Sequence, residues 1–297
     1  HLRPADGHDQ YDQDVSGSRV VWTSDAEADS EIWYDDIADS SPPVKITNNT
    51  VGDFGPSIDG NWVVWNHGDV ASWSLYWKNI ETGVTGMVDP NVATVRPQNI
   101  DVDRGRVVYW DEKVPGTLGI YVYEIESGSE RTVTTRNAST YSVRDTRMHG
   151  DRVTWIQWLN TSPASKNVWI ADLRAGTASA VTADSATQQY PSVFNELLVW
   201  QDNAGGSQDI RAWWQPDPIY RAVNTASGDQ MYPDVYGHSV VYQWGSGDGS
   251  DIFLSTAALS PTRIAGGDRY ETAALIARQR FKKSTVAVMA TGADFPD

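Results

Sequence analysis

Chemistry in this chain has to be built from carboxylates, tyrosines and a few imidazoles, because its 297 residues include five histidines and no cysteine. Without thiols there is neither a disulfide framework nor a thiolate metal site. The histidines are His1, His8, His67, His149 and His238, and no two of them have metal-ligand spacing. His149 and His238 flank a repeated glycine and are expected to be turn residues. A serine hydrolase would need a Gly-x-Ser-x-Gly elbow; the nearest string, Gly237-His-Ser239, runs on into valine. The glycine pair Gly266-Gly267 is too short to cradle a phosphate. Acids pair up in predicted hairpin loops: Asp25 with Asp29, Asp202 with Asp209, Asp248 with Asp251. Such pairs can bind calcium, but none has a calcium-loop spacing, and aspartate also favours turns. No metal or cofactor is expected.

The more informative polar residues are Gln10, Tyr11, Gln189, Tyr190, Gln230 and Tyr232, each near the start of a predicted inner strand. They are the candidate ligand contacts at the mouth of a central channel. Catalysis there would require two carboxylates from different repeats about 5–10 Å apart in a cleft, with shifted pKa values. No such centre is expected. The formal net charge of −16 argues against nucleic acid, which needs a basic face. No run of about 18 apolar residues is present, so no helical membrane span is expected.

These residues are positioned by a repeat. The pattern Gly-x-x-Val-Val-Trp recurs at Gly17–Trp22, Gly60–Trp65, Gly105–Trp110 and Gly150–Trp155, with weaker copies at Asn195–Trp200 and Gly237–Tyr242. The closing aromatics stand 42–45 residues apart. Each unit carries four strand signals. The first is an inner strand such as Pro191-Ser-Val-Phe194, and the second runs from Gly to Trp. The third is typified by Glu31-Ile-Trp33 and Asn167-Val-Trp169, and the fourth ends near Ile46, Val88, Val133, Val181 or Val223. The runs alternate, are rich in β-branched and aromatic residues, and are broken by Gly and Pro, so helix loses to strand. Four short strands per 40–50 residues is the period of a propeller blade. The expected fold is therefore all-β, a six-bladed β-propeller of four-stranded blades over residues 1–260.

The chain opens in mid-repeat. Leu2-Arg-Pro-Ala-Asp-Gly-His-Asp-Gln-Tyr11 parallels Val223-Asn-Thr-Ala-Ser-Gly-Asp-Gln-Met-Tyr232. Residues near His1–Arg3 are thus expected to complete blade six beside the strand containing Ile252, since an open ring would leave pairing edges.

Fourteen tryptophans need a structural reason first. Trp22, Trp65, Trp110, Trp155 and Trp200 share one repeat position, and Trp33, Tyr76, Tyr121, Trp169 and Phe253 share another. Large aromatics at both would fill the wedge between blades. Trp62, Trp73, Trp158 and Trp244 have no aromatic counterparts in the other repeats, which makes them candidate surface aromatics for sugar stacking or partner docking, or else local core.

The repeats resemble the TolB-like (WD40-like) propellers of bacterial and archaeal surface proteins. The matching pieces are Gln188-Gln-Tyr-Pro191, Gln230-Met-Tyr-Pro233, Asp59-Gly60 and Ile80-Glu-Thr-Gly83. Gln13, Asp101 and Thr146 depart from it where proline is expected, as does Asn195 in place of glycine. Residues 261–297 differ in kind. Positions 262–297 hold six Lys/Arg against four Asp/Glu, a change of sign from the acidic repeats. Arg263-Ile-Ala-Gly-Gly-Asp-Arg-Tyr-Glu-Thr-Ala-Ala-Leu-Ile-Ala277 is similar to the opening of a cell wall-binding repeat of type 2. The matching motif is Arg263, Gly266, Asp268, Arg269, Tyr270 and Thr272. The segment reads as strand, Ala-rich helix and strand, a short and incomplete α/β domain. The resemblance implies tandem copies that hold a protein on anionic wall polymers, and an incomplete copy is expected to bind walls poorly.

The expectation is a non-catalytic scaffold, secreted or associated with the cell wall, binding a protein or glycan through the propeller and the wall through its C-terminal repeats. One alternative is a propeller enzyme, a hydrolase or lyase acting on cell-surface glycans or peptides. Another is a propeller that gates a hydrolase domain starting at Arg263, as in oligopeptidases.

Overall fold

The structure is a computed structural model that describes residues 10–26, 29–69, 72–89, 100–162, 164–215, 219–224, 227–245 and 251–256. All of them belong to a compact unit spanning His1–Ala257. Six antiparallel sheets follow one another along the chain, each a meander of neighbouring strands. Blade 1 holds β1 (Gln10–Ser16), β2 (Arg19–Ser24), β3 (Glu31–Asp36) and β4 (Val44–Lys45); blade 2 holds β5 (Asp53–Asp59), β6 (Trp62–Asp69), β7 (Ser72–Asn79) and β8 (Thr85–Asp89). Blade 3 holds β9 (Asp101–Asp103), β10 (Arg106–Val114), β11 (Thr117–Glu124) and β12 (Ser129–Asn137). In blade 4 are β13 (Tyr141–His149), β14 (Arg152–Leu159), β15 (Lys166–Asp172) and β16 (Thr177–Ala180). Blade 5 has β17 (Gln188–Phe194), β18 (Leu197–Asp202), β19 (Asp209–Trp214) and β20 (Arg221–Ala222), and blade 6 has β21 (Gln230–Tyr236), β22 (Ser239–Trp244) and β23 (Asp251–Thr256).

The first strand of each blade is the inner one. β1 packs on β5, β5 on β9, β9 on β13, β13 on β17 and β17 on β21. This is the six-bladed propeller of four-stranded blades that the repeat demands, with blade 6 three-stranded among the described residues. The closing strand expected near His1–Arg3 lies outside the described residues.

Between blades the core is aromatic, as the repeat position requires. Trp155 and Trp200 are fully buried, while Trp22, Trp65 and Tyr242 keep only a few per cent of their surface. They stack on the third strand, Trp65 on Tyr76 at 5.9 Å, Trp155 on Trp169 at 6.1 Å and Tyr242 on Phe253 at 6.1 Å. Two of the indole N–H groups are satisfied close by: Trp65 Nε1 donates to Asp53 Oδ1 at 2.8 Å and Trp200 Nε1 to Asp202 Oδ2 at 3.3 Å.

Blade 3 corrects the sequence register by one residue. Tyr109, fully buried, pairs with Tyr121 as Trp155 pairs with Trp169, whereas Trp110 lies opposite Ile120. The cause is the hairpin. Its two turn residues are Arg104 and Gly105, both at positive φ (53° and 75°), as a tight mirror-type turn prefers. Glycine is therefore second in this turn but first in blades 1, 2, 4 and 6, so counting from it slips the strand by one. Asp101 moves with the slip: it pairs with Val108 as Asp14 pairs with Val21, so it does not occupy the proline position. In blade 5 Asn195 takes the turn at φ 54°, which asparagine tolerates better than most residues.

Each inner strand whose start is described also carries a β-bulge. The register shifts between Tyr11 and Asp14, Phe54 and Ser57, Arg144 and Arg147, Gln189 and Ser192, and Met231 and Asp234. One residue in each bulge is left-handed: Asp12, Gly55, Asp145, Tyr190 and Tyr232, with φ of 50–56°. A bulge re-aims the strand beyond it, and here it aims the residue two positions on into the channel.

Candidate functional site

Five such residues, and Asp101 at the same register in blade 3, form a ring, one per blade: Asp14, Ser57, Asp101, Arg147, Ser192 and Asp234. All pair with the equivalent residue of the second strand, from Val21 in blade 1 to Val241 in blade 6. Ser57 Oγ lies 2.8 Å from Asp14 Oδ2 and 3.1 Å from Asp101 Oδ1, so one hydroxyl serves carboxylates from blades 1 and 3. Each carboxylate also accepts a backbone N–H from another blade, Asp14 from Ile58 at 2.9 Å and Asp101 from Met148 at 2.7 Å. Farther round, Ser192 donates to Asp234 at 2.6 Å. Burial pushes Asp101 up to about 7, against the pull of Arg147 and helped by the Asp14 charge. Asp14 is raised as well, by burial, despite hydrogen bonds from Ile58 and Ser57. Burial works against the Arg147 guanidinium too, but Asp101, Asp14, Asp234 and Asp145 hold its pKa above the ordinary value. Sequence reasoning singled out none of these as ligands, and Asp101 only as a departure from the repeat.

The six polar residues chosen from the sequence fall on three different repeat positions. Gln230 sits two residues before the left-handed one and is fully buried; Gln10 holds the same place in blade 1 and is exposed. Tyr11 and Gln189 come next. The Tyr11 hydroxyl is tied to Ser30 Oγ at 3.1 Å, and Gln189 Oε1 accepts from Gln201 at 3.4 Å. Tyr190 and Tyr232 are themselves the left-handed residues. Only these two meet as rings, with centroids 4.7 Å apart, and Tyr232 is 53% exposed.

Beside this pair stands a cluster from blade 4. Arg144 Nε is 3.2 Å from Asp145 Oδ2, and Tyr190 N lies 3.4 Å from the same oxygen. The Arg144 guanidinium and the Lys166 ammonium both lie over the Trp158 ring, at 5.9 Å and 5.4 Å. Burial lowers the Lys166 pKa, and Arg144 adds to it. Burial raises Asp145, against Arg144 and Arg147. Tyr190 is raised by burial, then by Tyr232 and Asp145.

The other off-register tryptophans make local contacts. Trp62 meets Trp77 edge-on at 5.5 Å, and Trp73 meets Phe54 at 5.8 Å. Trp244 packs on Phe253 at 4.8 Å and donates to Ser227 O at 3.2 Å. The wall-binding motif from Arg263 to Thr272 lies outside the described residues.

A separate cavity of about 250 Å³ is lined by Thr47 and Asn49 of blade 1 and by Asp53, His67, Tyr76 and Thr85 of blade 2. His67 Nδ1 sits 2.8 Å from Asp53 Oδ1, and the fully buried Asp53 also accepts from Asn49 Nδ2 at 2.6 Å. Blade 5 holds buried Gln188 bonded to Asp202 in the matching place. The His–Asp pair is thus this blade's version of a recurring polar tie, and it fixes the imidazole with Nδ1 turned inward.

Comparison with known proteins bears on the two parts of the chain differently. Residues 263–297 match the family model described as Cell wall binding domain 2 (CWB2). The propeller is similar in fold to TolB from Acinetobacter baumannii, at TM-score 0.55 and 13% identity, over 81% of this chain and 61% of that one. It is similar also to a prolyl endopeptidase (TM-score 0.61, 11% identity, 84% of this chain and 41% of that). The Pyrococcus horikoshii acylaminoacyl peptidase gives TM-score 0.61 at 9% identity, over 83% of this chain and 44% of that one. The chain thus spans less than two thirds of the length of each of these three structures. At such identities the likeness is one of fold alone. No curated protein sequence matches the chain. No helix among the described residues is long and apolar enough to cross a membrane.

Proposed function

We propose that this protein is a non-catalytic scaffold outside the cell, held on wall polymers through the region that opens at Arg263 and presenting the propeller to a protein or glycan. The observation that carries this is the cell wall binding domain 2 match at 263–297, in a chain whose preceding unit is a propeller. Charge supports it. The mildly basic tail suits an anionic polymer, while the acidic propeller is repelled from it and held clear. The domain boundary proposed from this change is Ser260–Pro261. Purified walls are to be sedimented with protein carrying the complete domain from Arg263, and with a version ending at Ser260. The first is expected in the pellet and the second in the supernatant; equal sedimentation would remove the anchoring role.

A second reading, an enzyme acting on cell-surface glycans, has one observation in its favour. Asp14 and Asp101 come from different blades and converge on one hydroxyl, and the raised pKa of Asp101 is what the general acid of a glycosidase pair needs. Against it, both carboxylates accept backbone N–H groups that tie blades together, which leaves them poorly placed to reach a substrate. Wall glycan incubated with the protein is expected to yield no new reducing ends. Release that disappears in Asp101→Asn would establish the enzyme.

A further inference from the structure

The Tyr190–Tyr232 cluster contains cationic groups that are only partly paired among the described residues. Arg144 Nη2 is buried and donates to no partner among the described residues. The Lys166 ammonium lies over the face of Trp158, with Arg144 and Asp145 near enough to act on its charge, and makes no hydrogen bond or ion pair among those residues. A buried donor without an acceptor costs about 1–3 kcal/mol, more when charged, so each one in a native protein calls for an explanation. In blade 4 the two cations are a matched set. Lys166 lies directly opposite Trp158 across β14–β15, and Arg144 reaches the same ring from β13. Asp145 is the acid placed between them, so the cluster keeps a net positive charge inside a propeller that is otherwise strongly acidic. Next to it stand the exposed ring of Tyr232 and the side-chain amide of Gln189.

Resting on the reading of this mouth as a ligand site, we propose that it binds an acidic glycan through the carboxylate of a uronate residue. The Lys166 ammonium and the solvent-facing edge of the Arg144 guanidinium take the carboxylate. The C–H face of the sugar lies on Tyr232, and the ring hydroxyls meet Gln189 and the paired phenols. A single sugar acid supplies all three features at once, and this favours it over an acidic peptide.

The test is isothermal titration calorimetry of the chain with trigalacturonate, with a neutral galactose trisaccharide and with a glutamate-rich tripeptide. Trigalacturonate is expected to bind with Kd below about 1 mM and at least about tenfold more tightly than either other ligand. Its affinity should fall about tenfold or more in Lys166→Gln and in Arg144→Gln, and weaken on raising the salt. Lys166→Gln is the cleaner variant, because that ammonium makes no bond the fold needs, and its melting temperature should match the parent's. Equal affinity for the neutral trisaccharide, with loss in Tyr232→Ala, would leave the mouth as a ligand site and overturn the acidic class. Tighter binding of the tripeptide would replace the glycan with a peptide. Uronate binding unchanged in Lys166→Gln and Tyr232→Ala would place the ligand elsewhere, and no heat with trigalacturonate would overturn the proposal outright.

Discussion

Replacing Trp155 with alanine is expected to lower the unfolding free energy by about 3–5 kcal/mol. The side chain is fully buried between blades 3 and 4, among Val108, Ile120, Val122 and Val153, and stacks on Trp169. Two rigid sheets meet there, and neither can collapse into the space the indole leaves, so the cavity term stays near its full value. Trp155→Phe isolates the polar part of the cost. It keeps most of the packing but loses the donor to Gln157 Oε1 at 3.4 Å, so roughly 1–2 kcal/mol is expected. Urea unfolding followed by near-UV dichroism reads both. A loss under about 1 kcal/mol for Trp155→Ala would mean that blades 3 and 4 do not pack as described.

The channel ring makes stability depend on pH. Asp101 has its pKa raised in the folded protein from 3.8 to about 7, so the native state binds this proton more tightly than the unfolded chain does. Its contribution is therefore fully present below about pH 4 and is lost as pH rises through 7. The full shift corresponds to roughly 4 kcal/mol, so a loss of about 2–4 kcal/mol is expected. Asp14 is raised too and acts with the same sign. His149 acts oppositely: its burial-lowered pKa contributes stability above about 6.5 that is lost as pH falls. Comparing the protein with Asp101→Asn cancels that effect. Between pH 5 and 8 the parent should lose stability relative to the variant, whose amide does not titrate. Parallel curves would show that Asp101 is not the group responsible.

Strand positions and blade number were legible because both depend on local periodicities, alternation along a strand and repetition along the chain. The aromatic wedge was legible for the same reason, since a residue that recurs in every blade has a recurring job. Where the local count broke, the reading broke with it. In blade 3 the glycine occupies the second turn position rather than the first, and this placed Trp110 where Tyr109 belongs.

The site was hidden for a different reason. A one-residue bulge reverses which side chains face the channel beyond it, and nothing in Gln10-Tyr-Asp-Gln-Asp14 or Gln188-Gln-Tyr-Pro-Ser192 announces one until the left-handed residue is seen. Gln230 was chosen with Tyr232 as a channel residue, yet the bulge places Gln230 in the core and Tyr232 in the open. The ring from Asp14 to Asp234 joins residues a whole blade apart in sequence, as does the tie from Tyr190 to Asp145. Arg144, Trp158 and Lys166 lie within one blade but belong to three strands, and only the pairing register brings them to one face. The six blades and their aromatic packing follow from short-range alternation repeated six times, so residue order was enough to read them. Which polar groups share a space depends on distances that the bulges and blade-to-blade contacts set, and with them burial, ion pairing and pKa, so it emerges only once the chain is folded.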